Sequence, residues 1–270
     1  MTYDLHTHSI YSDGLLTPRQ LVKKAKAIGL TGIALTDHDT VDGLPEFMQA
    51  GKDFGVFSIP GVELSTEYQG LECHLLGYQI DYHHPGLLSR LSQVIFSRKV
   101  RAERILELLE KHGLKLSWNE VVKDAPGDFV GRYQIYRALK EKKLIDDDLG
   151  KKAFDYYLGS QGVAYVPHRE LSSIEAINLI KAAGGVSVLA HPGRSLDHNL
   201  IKTLALKGLA GIEAFHPSHT PEMAREYTTL AKQLDLFVTA GSDFHGIPGE
   251  RELGSTHIDK EAIKKILSGL

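Results

Sequence analysis

Nine residues whose side chains can bind metal fall in short clusters along the 270-residue chain. They are His6, His8 and Asp13 in HTHSIYSDG, His38 in TDHD, Glu63 closing PGVE, His74, His191 in AHP, and Asp243 with His245 in GSDFH. Imidazole nitrogen and carboxylate oxygen are the donors that zinc, manganese and iron accept. His6 and His8, two apart on an extended segment, point to one side because strand side chains alternate. An HxH pair alone is a weak signal, often no more than polar residues on an exposed strand. A second histidine, a glutamate and a DxH added at the ends of later apolar runs make it a strong one, and the constellation predicts a multinuclear metal site.

Seven short apolar runs must position these groups: Tyr3 to Leu5, Gly32 to Leu35, Val56 to Pro60, Leu75 to Tyr78, Val186 to Ala190, Gly211 to Phe215 and Phe237 to Ala240. Each reads as a strand. Helical patterns lie between them: Thr17 caps a helix opening at Pro18 and ending near Gly29, Ser172 or Ser173 caps one ending at Gly184 and Gly185, and another starts near Pro221. Strand and helix in alternation imply parallel strands, and seven units predict an α/β fold, a distorted (β/α)7 barrel. The clusters then collect on one rim, where parallel barrels carry their active sites: His6 and His8 after the first strand, His38 after the second, Glu63 after the third, His191 after the fifth, His216 after the sixth, Asp243 and His245 after the seventh. His74 opens its run instead of closing it, so either that strand is antiparallel or the run begins earlier.

Residues 85–163 break the rhythm. Leu87, Leu91, Val94, Ile95, Ile105, Leu108 and Leu109 predict a long helix closed by Gly113, Ser117 with Glu120 forms a capping box, and short helices are expected near Tyr133 to Lys142 and Leu149 to Leu158. The expected organisation is a metal-binding barrel from 1–84 and 164–270 with a helical subdomain inserted at 85–163.

Composition bounds the rest. Hydrophobic content of 42% and charged content of 24% are ordinary for a globular chain, and the net charge of −3 offers no general attraction to nucleic acid or anionic membrane. Between residues 85 and 165 there are 15 Lys and Arg against 11 Asp and Glu, so a mildly basic insert faces an acidic body. Cys73 is the only cysteine, which excludes internal disulfides and zinc-thiolate sites and reads as a small buried apolar side chain. The first candidate ligand, His6, is the sixth residue from Met1, which leaves too few for a signal peptide, and no run approaches a membrane span, so a cytoplasmic protein with no membrane association and no obligate protein partner is expected.

HTHSIYSDGLLTP, ALTDHDT, PGVELS, HLLGY, AHPGR and GSDFHG resemble, in order and spacing, the motifs of the polymerase and histidinol phosphatase (PHP) family of metal-dependent phosphoesterases, over nearly the whole chain. The likeness is to the bacterial branch with a small inserted domain, whose members act on nucleoside monophosphates, 3′,5′-bisphosphonucleotides or RNA 5′ ends. It implies a trinuclear centre: His6, His8, Glu63 and Asp243 on a first divalent ion, Glu63 bridging to a second held by His74 and His191, and Asp13, His38 and His245 on a third. Manganese, zinc, iron and magnesium all suit such donors. Three divalent ions held by three carboxylates and six neutral imidazoles leave a positive cavity that favours an oxyanion, and a metal-activated hydroxide can then attack a phosphate ester. Arg132 and Arg194 match positions that contact substrate, as forked phosphate donors. His216 and His219 in FHPSH offer phosphate contacts, with His216 also placed as a catalytic proton donor. Asp37 and Asp39 are expected to orient imidazoles. Where relatives commonly read GRPH this chain reads Gly131, Arg132, Tyr133, Gln134; Tyr133 can stack on a base and Gln134 cannot carry a proton, which places specificity there.

The expected activity is therefore phosphoester hydrolysis on a small phosphorylated metabolite, a nucleotide foremost. A 5′-3′ exonuclease acting on short RNA is the first alternative, and it calls for a continuous positive path through Arg98, Arg101, Arg104, Lys111 and Lys115. A metal-dependent amidohydrolase shares HxH and the late Asp but makes no use of Asp13, and ammonia release would reveal it. A degenerate, non-catalytic phospholigand binder would have lost ligands, and none is lost here.

Overall fold

The structure, a computed structural model, describes residues 2–123, 126–146, 150–167, 171–193, 197–259, 263–264 and 266. Its strands are β1 (Thr2–Asp4), β2 (Gly32–Leu35), β3 (Phe57–Tyr68), β4 (Leu71–Tyr78), β5 (Val186–Leu189), β6 (Gly211–Phe215), β7 (Phe237–Ala240) and β8 (Ile258–Asp259). They form one sheet in the order β7-β6-β5-β4-β3-β2-β1-β8. Pairing is parallel from β1 to β3 and from β5 to β7, while β4 runs antiparallel to both β3 and β5. The antiparallel β4 accounts for His74, which lies inside a strand that begins at Leu71. β8 adds an antiparallel edge beside β1 and is too short, at two residues, to show as an apolar pattern.

The sheet curls until its ends meet just past β1 and β7. Leu5 N–H donates to Ala240 O at 3.2 Å, His8 N–H to Phe244 O at 2.9 Å, and Thr7 bridges Phe244 in parallel. This near-closure separates two cores. Tyr3, Leu5, Ala34, Ile59, Leu76, Tyr78, Val188, Ala190 and Ala240 fill the inside. Ile33, Leu35, Val62, Leu64, Leu75, Leu189 and Ile212, on the other face of the same strands, pack against helices. Both sets follow from period-two alternation with each face buried.

The covering helices are α1 (Pro18–Ala27), α2 (Leu44–Phe54), α7 (Ser173–Ala182), α8 (His198–Leu206) and α9 (Pro221–Gln233). Thr17 starts α1 through a reciprocal box, its hydroxyl accepting from Gln20 N–H at 3.2 Å and Gln20 Oε1 accepting from Thr17 N–H at 2.9 Å. Such a cap stabilises a helix by about 1 kcal/mol. Ser172 caps α7 through its hydroxyl alone, which accepts from Glu175 N–H at 3.2 Å.

Between β4 and α7 lie α3 (Pro85–Lys111), α4 (Trp118–Val122), α5 (Arg132–Glu141) and α6 (Lys151–Leu158). Their apolar faces, with Ile105, Leu109, Val121, Ile135, Leu139 and Leu158 at the centre, make a third hydrophobic cluster. Gly113 follows α3 at φ +80°, a left-handed residue that ends the helix where a Cβ would be strained. Among the described residues no helix is long and apolar enough to cross a membrane.

Candidate metal centre

β3 continues well past Pro60 because it pairs with β4 along its length, and that extension carries Glu63. Val62 and Leu64 face the helices, so alternation turns Glu63 inward with Ile59. Its carboxylate is fully buried and meets five imidazoles. Oε2 lies 3.0 Å from His6 Nε2, 3.2 Å from His8 Nε2 and 3.3 Å from His38 Nδ1. Oε1 lies 2.8 Å from His74 Nδ1 and 2.9 Å from His191 Nε2. One carboxylate thus divides its oxygens between two sets of nitrogen donors.

Asp243 Oδ1 stands 3.1 Å from His8 Nε2 and 3.4 Å from His6 Nε2, so His6, His8, Glu63 and Asp243 converge with ligand atoms within 4.8 Å of one another. Asp13, His8, His38 and His245 form a second such group, in which Asp13 Oδ1 is 3.2 Å from His245 Nε2 and Oδ2 is 3.7 Å from His38 Nε2. His38, Glu63 and His74 form a third, and His191 reaches the same Glu63 oxygen as His74. All nine candidate ligands from six separate stretches of chain therefore meet in one place. His38 shares in two groups, one ring nitrogen toward Glu63 and the other toward Asp13.

The donor set fits divalent ions on its own chemistry. His8 Nε2 and His38 Nδ1 are buried with no hydrogen-bond partner although carboxylate oxygens surround them. A buried orphan nitrogen costs free energy unless something electrophilic meets its lone pair. Burial would push the His6 and His74 pKa values down, but Glu213 and Glu63 beside His6, and Glu63 and Glu72 beside His74, raise both to about 10. His38 goes the other way, to about 3, because burial outweighs its carboxylate neighbours. Divalent ions bind imidazole and carboxylate only in their deprotonated forms, so metal affinity should fall as pH falls.

Charged residues behind the donors hold them in place. Glu213, in the middle of β6, accepts from His6 Nδ1 at 3.0 Å and from His191 N–H at 2.9 Å. The motif reading missed it, yet a glutamate inside the apolar run GIEAF was a visible anomaly. Burial opposes its ionisation, but His6 beside it holds its pKa down at about 2. Replacing Glu213 with glutamine should weaken metal binding about 10- to 100-fold, read by competition with a chromogenic chelator; unchanged affinity would show that His6 needs no such support. His245 is fixed by its Nδ1–H donating to Asp243 O at 2.9 Å, which turns Nε2 to Asp13. His191 at φ +22° and Asp243 at φ +52° are non-glycine residues in the left-handed region, strain of a kind that gathers at functional sites.

The PHP domain family profile matches residues 4–168, more than half of the chain. The chain belongs to the PHP-domain family. It is 36% identical to a 5′-3′ exoribonuclease of Haemophilus influenzae, over 93% of this chain and 93% of that protein. It is 34% identical to a 3′,5′-nucleoside bisphosphate phosphatase of Chromobacterium violaceum, over 94% of this chain and 90% of that protein. A solved structure from Bifidobacterium adolescentis, provisionally described as a metal-dependent phosphoesterase, superposes with TM-score 0.90 and 30% identity, covering 98% of this chain and 95% of the other. This PHP chain is a metal-dependent phosphoester hydrolase with an α/β barrel fold.

Several polar residues around the PHP centre have roles that the motifs did not show. Asp37 does not touch an imidazole; it accepts from Ser9 N–H and Ser9 Oγ at 2.6 Å and from Ser12 Oγ at 2.7 Å, shaping the loop that carries Asp13. Asp39 pairs with Arg98 of α3 at 2.5 Å and accepts from Ser65 N–H at 2.8 Å. Gln134 is buried: Oε1 accepts from Gly131 N–H at 2.9 Å and Nε2 donates to Ser12 O, so its amide ties α5 to the Asp13 loop. His219 spends both nitrogens on backbone, Nδ1 on Ala214 O at 2.9 Å and Nε2 on Gly193 N–H at 3.1 Å. His216 Nδ1 accepts from Ser218 N–H at 3.1 Å, which leaves Nε2–H to Asp243 Oδ2 at 3.4 Å. Burial first, then the neighbouring His191 and His6, depress its pKa to about 2, although Glu213 opposes the shift. Arg132 lies over Tyr165 and Phe154, with Nη1 donating to Leu158 O at 3.2 Å and Nη2 3.9 Å from Glu72. Tyr133 is half-buried, its phenol pushed up to about 12 by burial and by Glu250. Arg194 lies outside the described residues.

Proposed function

We propose that this chain hydrolyses a phosphate ester of a small nucleotide, a nucleoside monophosphate or 3′,5′-bisphosphonucleotide, at a centre of three divalent ions. His6, His8, Glu63 and Asp243 would hold the first ion, Glu63 with His74 and His191 the second, and Asp13, His38 and His245 the third. The observation that carries this reading is Glu63, whose two oxygens face different imidazole sets 2.8–3.3 Å away. Bound ions would supply Lewis acidity toward phosphate oxygens and a nucleophilic water at neutral pH. The chain's part is to fix the donors, through Glu213 on His6 and His216 on Asp243, and to leave the rim open beside Tyr133 and Arg132, which would take the nucleoside and its phosphate. Arg194 is proposed for the same phosphate. The segment 85–163 is proposed as an inserted unit that roofs the barrel formed by 1–84 and 164–270.

A small substrate is favoured over extended RNA because three of the five cations that a continuous path calls for are taken up locally. Arg98 is buried on Asp39, Arg101 Nε donates to Val166 O at 2.7 Å, and Lys115 pairs with Glu110 at 2.9 Å. The second reading, stepwise 5′-3′ cleavage of short RNA, is supported by the relative that bears that name. Metal-quantified protein assayed with nucleoside monophosphates, 3′,5′-bisphosphates, histidinol phosphate and short 5′-phosphorylated RNA separates the two: phosphate release from the small esters supports the first, successive shortening of RNA the second. Asp13→Ala should lose metal and activity together; a metal-depleted Asp13→Ala protein with full activity would sink the proposal.

A further inference from the structure

We propose that Arg251 is an oxyanion-binding residue of this centre, holding the phosphoryl group during hydrolysis, an assignment that rests on the phosphoesterase reading. Arg251 belongs to the connection between β7 and β8, in which Gly246, Gly249 and Gly254 all have left-handed φ. Gly254 N–H donates to the buried Asp4 at 2.8 Å, which anchors the far end of that connection. The fold so directs Arg251 back to the rim, where Nη1 pairs with Asp243 Oδ2 and lies 3.5 Å from Asp243 O.

Asp243 presents its two oxygens to different surroundings. Oδ1 faces His6 Nε2 and His8 Nε2 at 3.4 and 3.1 Å, inside the candidate cage, whereas Oδ2 faces Arg251 and, at 3.4 Å, His216. The guanidinium therefore abuts the cage from outside and leaves the metal-facing oxygen clear. Among the described residues only its Nη1 has a hydrogen-bond partner, and the side chain is 35% exposed, so Nε and Nη2 remain to be offered to a ligand. The neighbouring arginines differ. Arg98 is engaged by Asp39 and Ser65, and Arg132, which donates from Nη1 to Leu158 O and lies 3.9 Å from Glu72, contacts no cage carboxylate among the described residues. Arg251 is the one described arginine in contact with a cage carboxylate.

A planar fork with free donors, held rigid against a carboxylate, matches the oxygens of a phosphoryl group. Because the charge is placed before reaction, it stabilises the displacement without reorganisation. The competing role is purely mechanical, with Arg251 serving only to hold Asp243 toward its ion.

The test uses the full, metal-loaded chain with Arg251→Gln and Arg251→Lys. Inorganic phosphate is titrated calorimetrically, metal content is measured by plasma mass spectrometry, and kcat and KM are taken with p-nitrophenyl phosphate. Phosphate affinity and kcat/KM should drop about 10- to 100-fold in Arg251→Gln, with metal content at the wild-type level and part of the loss recovered in Arg251→Lys. Unchanged phosphate affinity, a wild type that binds no phosphate, or loss of metal in step with phosphate would overturn the assignment. If the wild type cleaves no ester yet phosphate binding still weakens in Arg251→Gln, anion binding stands and the phosphoesterase reading falls.

Discussion

Glu63→Gln is expected to lower kcat/KM by about a thousandfold or more and to release more than one equivalent of metal. Glutamine keeps the shape but removes the charge that five imidazoles share at 2.8–3.3 Å, and it turns an amide NH₂ toward nitrogens that need an acceptor or an ion. No other carboxylate can take over, since Asp243 contacts His6, His8 and His245, Asp13 contacts His8, His38 and His245, and among the described residues neither contacts His74 or His191. Metal content per chain by plasma mass spectrometry, with circular dichroism to verify folding, checks the result. A folded Glu63→Gln protein that kept its full metal complement would overturn the proposal that Glu63 bridges two ions.

Arg98→Met is expected to destabilise the chain by about 3–5 kcal/mol, read from the urea midpoint, because it strands the buried Asp39 carboxylate. Arg98 donates from Nε to Asp39 at 2.7 Å and from Nη2 to Ser65 Oγ at 2.6 Å, and lies 4.6 Å over the Phe129 ring, which itself stacks on His38. The pair pins α3 to the strand ends that carry His38 and Glu63. The double variant Arg98→Met, Asp39→Asn should lose less than Arg98→Met alone, since no charge is then left buried. The pH dependence has a definite sign. Burial raises the Asp39 pKa, but the Arg98 guanidinium and Ser65 N–H outweigh it and hold the carboxyl below its ordinary value. Its contribution is complete above the unfolded carboxyl pKa of about 3.9 and is lost as pH falls through the lower folded value. Wild type and Arg98→Met should therefore differ most near neutrality and converge in strong acid; an equal gap at all pH values would rule out the ion pair as the cause.

The outline of the barrel was legible because strand periodicity and helix caps are local. Gly32–Leu35, Gly211–Phe215 and Phe237–Ala240 occur where their apolar runs end, and Thr17 and Ser172 cap the helices they precede. β3 outruns its apolar pattern, which Glu63 and Thr66 interrupt; pairing with β4, a long-range contact, is what keeps it extended to Tyr68. Gln134, His216 and His219 have side chains that suit a ligand, and composition offers no sign that backbone and Asp243 have already claimed their polar atoms.

The sequence by itself determined the chemistry of this protein: which nine side chains are competent for metal, and that they sit near strand ends where a barrel gathers them. Ligand competence is a property of residue type and spacing, and both are written in the chain. Only the tertiary structure decided how the donors divide around Glu63, that Glu213 lies behind His6, and that Arg251 reaches Asp243 from outside the cage. Those relations join residues far apart in sequence, and their distances depend on the antiparallel β4, the near-closure of the sheet and the turn after β7, none of which a local pattern encodes.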